Sequence, residues 1–148
     1  MSERFVGCSS RERRGHTDRI AMGIERLLKE SRRKLERLTP QQVERALGEG
    51  GLLIDIRSDN QRASDGIVPG AVFVQRNVLE WRLDPSSPWG DPALARADSL
   101  VIVMCDEGYQ SSLAAATLQE LGLSRATDMV GGFQAWRAAS LPVEPLES

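Results

Sequence analysis

Apolar positions along this chain recur with more than one period, and each change of period marks a change of element. Ile20, Ile24, Leu27, Leu28, Leu35 and Leu38 return at spacings of three, four and seven, which predicts an amphipathic helix over residues 20–38. Arg32, Arg33 and Lys34 fall largely on its other faces. Thr39 can cap a second helix, with Pro40 suited to its first turn and Gln42 placed as in a capping box. That helix runs through Leu47 and should stop at Gly48 or Gly50. Residues 52–56, 71–74 and 100–104 are short apolar runs, as expected of strands buried on both faces, and residues 128–130 offer a fourth. Pro69-Gly70 predicts a turn, the proline-rich stretch 84–92 a loop, and Asp91 a cap for a helix through Ala97. Two more helices are expected, one over 111–121 ended by Gly122 and one over 133–139 after a tight Gly131-Gly132 turn. Apolar strands alternating with helices predict an α/β fold with a mainly parallel sheet, flanked by helices on both faces. Trp81, Trp89 and Trp136 read as packing residues within it.

Charge divides the chain. Residues 1–37 carry 11 Lys/Arg against 6 Asp/Glu, whereas residues 38–148 carry 8, all Arg, against 15 acids. A basic extension therefore precedes an acidic body. Residues 1–19 are polar and read as a disordered basic tail, residues 20–38 as an amphipathic helical extension, and residues 39–148 as the folded domain. The extension's apolar stripe is expected to dock on that domain with its charges toward water; the alternative is a surface for a protein partner or a membrane. Nucleic acid is not expected as a partner, because the body is acidic and no basic patch is interleaved with aromatics. No apolar run is long enough for a transmembrane segment. Cys8 and Cys105 are far apart and make a poor disulfide framework, and the N-terminus lacks the apolar core of a secretory signal, so a reducing, cytoplasmic setting is expected. Met22 offers a second start of translation. His16 is the single histidine, so no His/Cys cluster has metal-ligand spacing and no metal or cofactor is expected.

The candidate chemistry sits at Cys105-Asp106-Glu107-Gly108-Tyr109-Gln110-Ser111, between an apolar strand and a helix start. A thiol there faces backbone N–H groups and the positive end of a helix dipole, both of which favour the thiolate. Gly108 permits the positive φ of a tight loop, and Ser111 stands where it could cap the helix. Asp106 and Glu107 oppose the thiolate unless their carboxylates point to solvent.

Four stretches, in order, resemble the single-domain rhodanese-like sulfurtransferase family. Asp55-Ile56-Arg57 is similar to that family's Asp-Val-Arg, and Ile67-Val68-Pro69-Gly70-Ala71 to its His-Ile-Pro-Gly-Ala. The segment Cys105 to Ser111 resembles its Cys-x-x-Gly-x-Arg-Ser loop, and Gly131 to Trp136 its Gly-Gly-x-x-x-Trp. The likeness covers residues 39–141. It implies a rhodanese-like fold and a sulfurtransferase in which Cys105 takes a sulfane sulfur from a small-molecule or protein-persulfide donor. The outer sulfur would then pass to a thiol or cyanide-like acceptor. Asp106, Glu107, Gly108, Tyr109, Gln110 and Ser111 would line the substrate site, with Arg57, Arg76 and Arg82 as candidate sources of positive charge; the other reading makes them ordinary surface or paired arginines, and Asp55 with Arg57 a structural pair at the strand end. Two positions depart from the family pattern: Gln110 replaces the loop Arg and Ile67 the His. Neutral Gln cannot clamp an anion as Arg does, so poor use of thiosulfate is expected. The competing readings are a catalytically weak binding or regulatory module and a thiol redox sensor.

Overall fold

The computed structural model of the protein describes residue 21 and residues 23–147. The expected tail, with Cys8 and His16, and the predicted helix start at Ile20 lie outside the described residues. Helix α1 spans Gly23–Arg33 and is shorter than its apolar spacing predicts. A closing turn ends it, with Lys34 N–H donating to Ser31 O and Leu35 N–H to Arg32 O. Leu38 lies beyond the helix, in an isolated parallel bridge with Met129. This extended segment is held tightly: Leu38 N–H donates to Asp128 O at 3.0 Å, and Val130 N–H to Leu38 O at 2.8 Å. The Thr127 hydroxyl donates to Glu36 O and the Gln119 amide to Lys34 O.

Helix α2, Pro40–Gly48, begins at the predicted capping box: Thr39 and Gln42 each accept from the other's backbone N–H. Strand β1, Leu52–Asp55, leads to helix α3, Asp59–Asp65, an element that hydrophobic spacing does not reveal because none of its residues is buried. Its signal is a second capping box, Ser58 with Gln61. Strand β2, Val72–Phe73, is followed by a 3₁₀ turn, Arg76–Val78, and helix α4, Leu79–Leu83. Strand β3, Val101–Met104, helix α5, Gln110–Glu120, strand β4, Thr127–Asp128, and helix α6, Gly132–Ala138, complete the order.

The helix expected after Asp91 does not form. Leu94 N–H and Ala95 N–H both donate to Asp91 O, and the Asp91 side chain accepts from Ala93 N–H, so the cap closes a turn that is not continued. Only Leu94 is buried in that stretch, and one apolar contact cannot hold a helix on the body. Trp136 packs in the core as expected, whereas Trp81 and Trp89 are exposed.

The sheet is parallel in the order β2-β1-β3-β4. Successive residues of its central strands face opposite layers. Ile54, Val101, Val103 and Cys105 pack with Leu79, Leu83, Ala114, Ala115 and Leu118 on one side. Leu53, Ile102 and Met104 pack with Val43, Phe133 and Trp136 on the other. α1 packs on α5, so the extension does dock on the body. Its apolar stripe is only partly covered, because Ile24 stays 65% exposed and Leu27 42%. After β1 the chain moves outward to β2, then returns across β1 to β3. The carboxyl ends of β1 and β3 therefore flank a topological switch point, where open parallel sheets form their crevices. Cys105 is the first residue past β3.

Candidate functional site

Cys105 is 7% exposed, and its Sγ accepts two backbone N–H groups. Gly108 N–H lies 3.1 Å from Sγ and Ser111 N–H 3.4 Å. The second amide belongs to the first turn of α5, so the helix dipole and its unpaired N–H groups face the sulfur together.

The body holds this loop through its backbone. Phe133 N–H donates to Cys105 O at 2.9 Å and Gln134 N–H to Asp106 O at 3.1 Å, which ties the loop to the start of α6. Space at this junction admits only glycine. A Cβ on Gly132 (φ +62°) would lie 2.5 Å from Cys105 O, and one on Gly108 (φ +89°) 2.8 Å from Gly131 N. The Gly-Gly turn thus lets two backbones meet.

The remaining loop residues take distinct positions. Asp106 accepts from the Gln134 side-chain amide at 2.9 Å, so its carboxylate is engaged at α6, while Glu107 is exposed. Gln134 also donates to Asp65 at 3.0 Å, and this bond, aided by Arg137, holds the Asp65 carboxyl below its usual range. Tyr109 is 60% exposed, with the Arg32 guanidinium 5.6 Å from its ring centre, and Gln110 is exposed. Tyr109, Gln110 and Leu113 line a surface groove of about 560 Å³ with Ile24, Glu25 and Leu28 of α1.

Ser111 does not cap α5. Its hydroxyl donates to Asp128 at 2.7 Å, and the Ser112 hydroxyl makes the same bond at the same distance. Asp128 is fully buried on β4 and also accepts from Arg37, Nε at 2.8 Å and Nη2 at 3.2 Å. Four donors saturate this carboxylate.

The three arginines considered as sources of charge are each paired with an acid, and Arg57 forms the structural pair with Asp55 at the end of β1. Arg57 is buried, donates to Asp55 through Nε and Nη2 and to Gly66 O, and stacks over Phe133 at 3.8 Å. Arg76 pairs with Glu80, and Arg82 with Asp91. Among the described residues none of the three hydrogen-bonds the 105–111 loop. The arginines that reach it are Arg32, whose Nη2 donates to Gly108 O at 2.8 Å, and Arg37, whose Nη2 donates to the same oxygen at 3.0 Å. Sequence spacing misses both, because helical periodicity assigns Arg32 to the faces turned toward water.

Comparison with known proteins places the chain in a family. A family profile described as rhodanese-like domain matches residues 39–139, and the chain belongs to that family. The thiosulfate sulfurtransferase GlpE of Haemophilus influenzae is 33% identical over 108 residues, which covers 72% of this chain and 92% of the relative. The GlpE of Ectopseudomonas mendocina is 32% identical, covering 71% and 87%. A solved structure from Rhodopseudomonas palustris, described as a protein of unknown function and possible tyrosine phosphatase, is 34% identical with a TM-score of 0.77. It covers 84% of this chain and 96% of its own, and so extends beyond the family match.

Proposed function

We propose that this rhodanese-type sulfurtransferase carries the transferred sulfur as a persulfide on Cys105. The observation that carries the reading is the pair of backbone amides, Gly108 and Ser111, directed at a sulfur at the N-terminus of α5. The Cys105 thiolate attacks the sulfane sulfur of a donor. A new S–S bond forms, the donor's bond to that sulfur breaks, and its electron pair leaves with the donor. An acceptor thiolate or cyanide then attacks the outer sulfur, and the Cys105–sulfur bond breaks to return the Cys105 thiolate. No external oxidant or reductant is consumed. The amides offer fixed donors to the anionic sulfur in both steps without reorganisation. A reducing, cytoplasmic setting suits a thiolate of this kind.

The preferred donor is a persulfide carrier rather than thiosulfate. Gln110 is neutral, Glu107 is an exposed acid in the same loop, and Arg57, Arg76 and Arg82 are occupied by Asp55, Glu80 and Asp91. The charge of each of these three guanidiniums is therefore already balanced by a carboxylate. Phosphate-ester hydrolysis, suggested by the description of the R. palustris relative, lacks its phosphate clamp here. The residue six places after Cys105 is Ser111, whose hydroxyl is bonded to Asp128.

Mass spectrometry of the protein after exposure to matched donors tests both parts. Glutathione persulfide should add one sulfur, about 32 Da, to the Cys105 peptide and none to Cys105→Ala. Thiosulfate should load it about tenfold or more slowly. Equal loading by thiosulfate overturns the donor preference, and no adduct from any donor overturns the carrier role.

A further inference from the structure

We propose that Arg32 and Arg37 are positioning residues of the sulfur-transfer site, so that residues 23–38, which lie outside the family match, form a working part of the active centre. The inference rests on the reading of Cys105 as the sulfur carrier.

Gly108 joins the sulfur to the arginines through its two adjoining peptide groups. Gly108 N–H donates to Sγ, and Gly108 O accepts from Arg32 at 2.8 Å and Arg37 at 3.0 Å. In a trans peptide the C=O of one residue and the N–H of the next point to opposite sides. Two guanidinium donors on Gly108 O therefore fix the plane that carries Tyr109 N–H and hold that N–H away from the arginines. The Cys105 and Asp106 carbonyls are fixed likewise by the amides of α6. Asp106, Glu107 and Tyr109 N–H groups are thereby left unspent on those sides, next to the two amides already on the sulfur. Among the described residues, no backbone carbonyl accepts from any of these three. A glycine at φ +89° has no Cβ to resist rotation, so external ties decide which way its carbonyl points.

The arginines are themselves braced. Arg37 holds both oxygens of buried Asp128, and Arg32 Nε donates to the Ser112 hydroxyl at 3.0 Å, which donates on to Asp128. The Leu38–Met129 bridge and the Thr127–Glu36 bond fix the backbone that carries Arg37 beside β4. Arg32 thus brings a positive charge behind a loop whose own motif position holds Gln110, whereas the charge of Arg37 is balanced by Asp128. The attraction of Arg32 to the thiolate and the orientation both arginines give the amides act in the same direction.

The test uses the full chain and single-turnover loading of Cys105 by glutathione persulfide, with circular dichroism as the check on folding. Arg32→Ala leaves all four donors of Asp128 in place, so it should fold even if Arg37→Ala does not. Arg32→Ala should slow loading at saturating donor by about tenfold. The donor concentration for half-maximal rate should change less than about twofold, because the arginine orients amides rather than holding the donor. Arg32→Lys, which restores a charged donor, should recover most of the loss, and alkylation by neutral iodoacetamide should slow in parallel. A folded Arg32→Ala that loads at the wild-type rate overturns the proposal, as does an effect confined to the half-maximal concentration. Wild-type protein that takes no sulfur from any donor overturns the carrier reading instead.

Discussion

Residues 39–139 and residues 23–38 meet at Gly108, and they hold it by different chemistry. The family body works through its backbone: α6 amides on the Cys105 and Asp106 carbonyls, and glycines that let two chains touch. The preceding segment works through charge, with Arg32 and Arg37 on Gly108 O and Arg37 on buried Asp128. The body's constraints are steric and fail all at once. Those of the segment are electrostatic and graded. The positive charge nearest the loop backbone therefore comes from outside the motif that defines the loop.

Asp128→Ala strikes the join between the two parts. It strands Arg37 and removes the shared acceptor of Ser111 and Ser112, and should cost about 3–5 kcal/mol in denaturant unfolding. A loss under about 1 kcal/mol would show that segment and body are not coupled there. Gly132→Ala strikes the body alone. Its Cβ would lie 2.7 Å from the Asp106 carbonyl carbon, in a backbone conformation that alanine rarely adopts. The expected cost is about 2–4 kcal/mol, read as a clear fall in Tm together with loss of sulfur loading.

Much of this was legible in the sequence where local chemistry is self-contained. The Thr39–Gln42 capping box, the apolar runs of β1 and β3, the Gly131-Gly132 turn and the Cys105 loop each declare themselves within a few residues. Helix α3 carries an equally local signal at Ser58 and Gln61, but it buries no residue and leaves no apolar stripe to find. Asp91 caps a turn rather than a helix, because a cap starts an element and only packing sustains it. The roles of Arg32 and Arg37 depend on partners 71 to 91 residues away. No periodicity separates an arginine in water from one turned toward a distant carbonyl.

Two smaller changes sharpen the comparison. Gln110→Arg places a cation on the loop itself, and should raise the rate of thiosulfate loading about tenfold while leaving persulfide loading nearly unchanged. No gain with thiosulfate would mean that charge at this position does not set donor choice. Asp65 belongs to the body, and its carboxyl is held below 3.8 by the Gln134 amide. A depressed carboxyl stabilises the fold above its unfolded pKa, and this contribution fades as pH falls through the lower folded value. Asp65→Asn should thus lower Tm slightly at neutral pH, and the gap should close below about pH 4. A gap that widens in acid would contradict the assigned direction.

The most direct test follows one sulfur atom through a full cycle. The protein is loaded with glutathione persulfide, freed of donor and given a thiol acceptor, with intact mass read at each stage. The account predicts a gain of about 32 Da confined to Cys105, its loss on adding acceptor, and a matching gain in the acceptor. A Cys105→Ser variant that still passes sulfur, or an adduct on Cys105 that no acceptor removes, would contradict it.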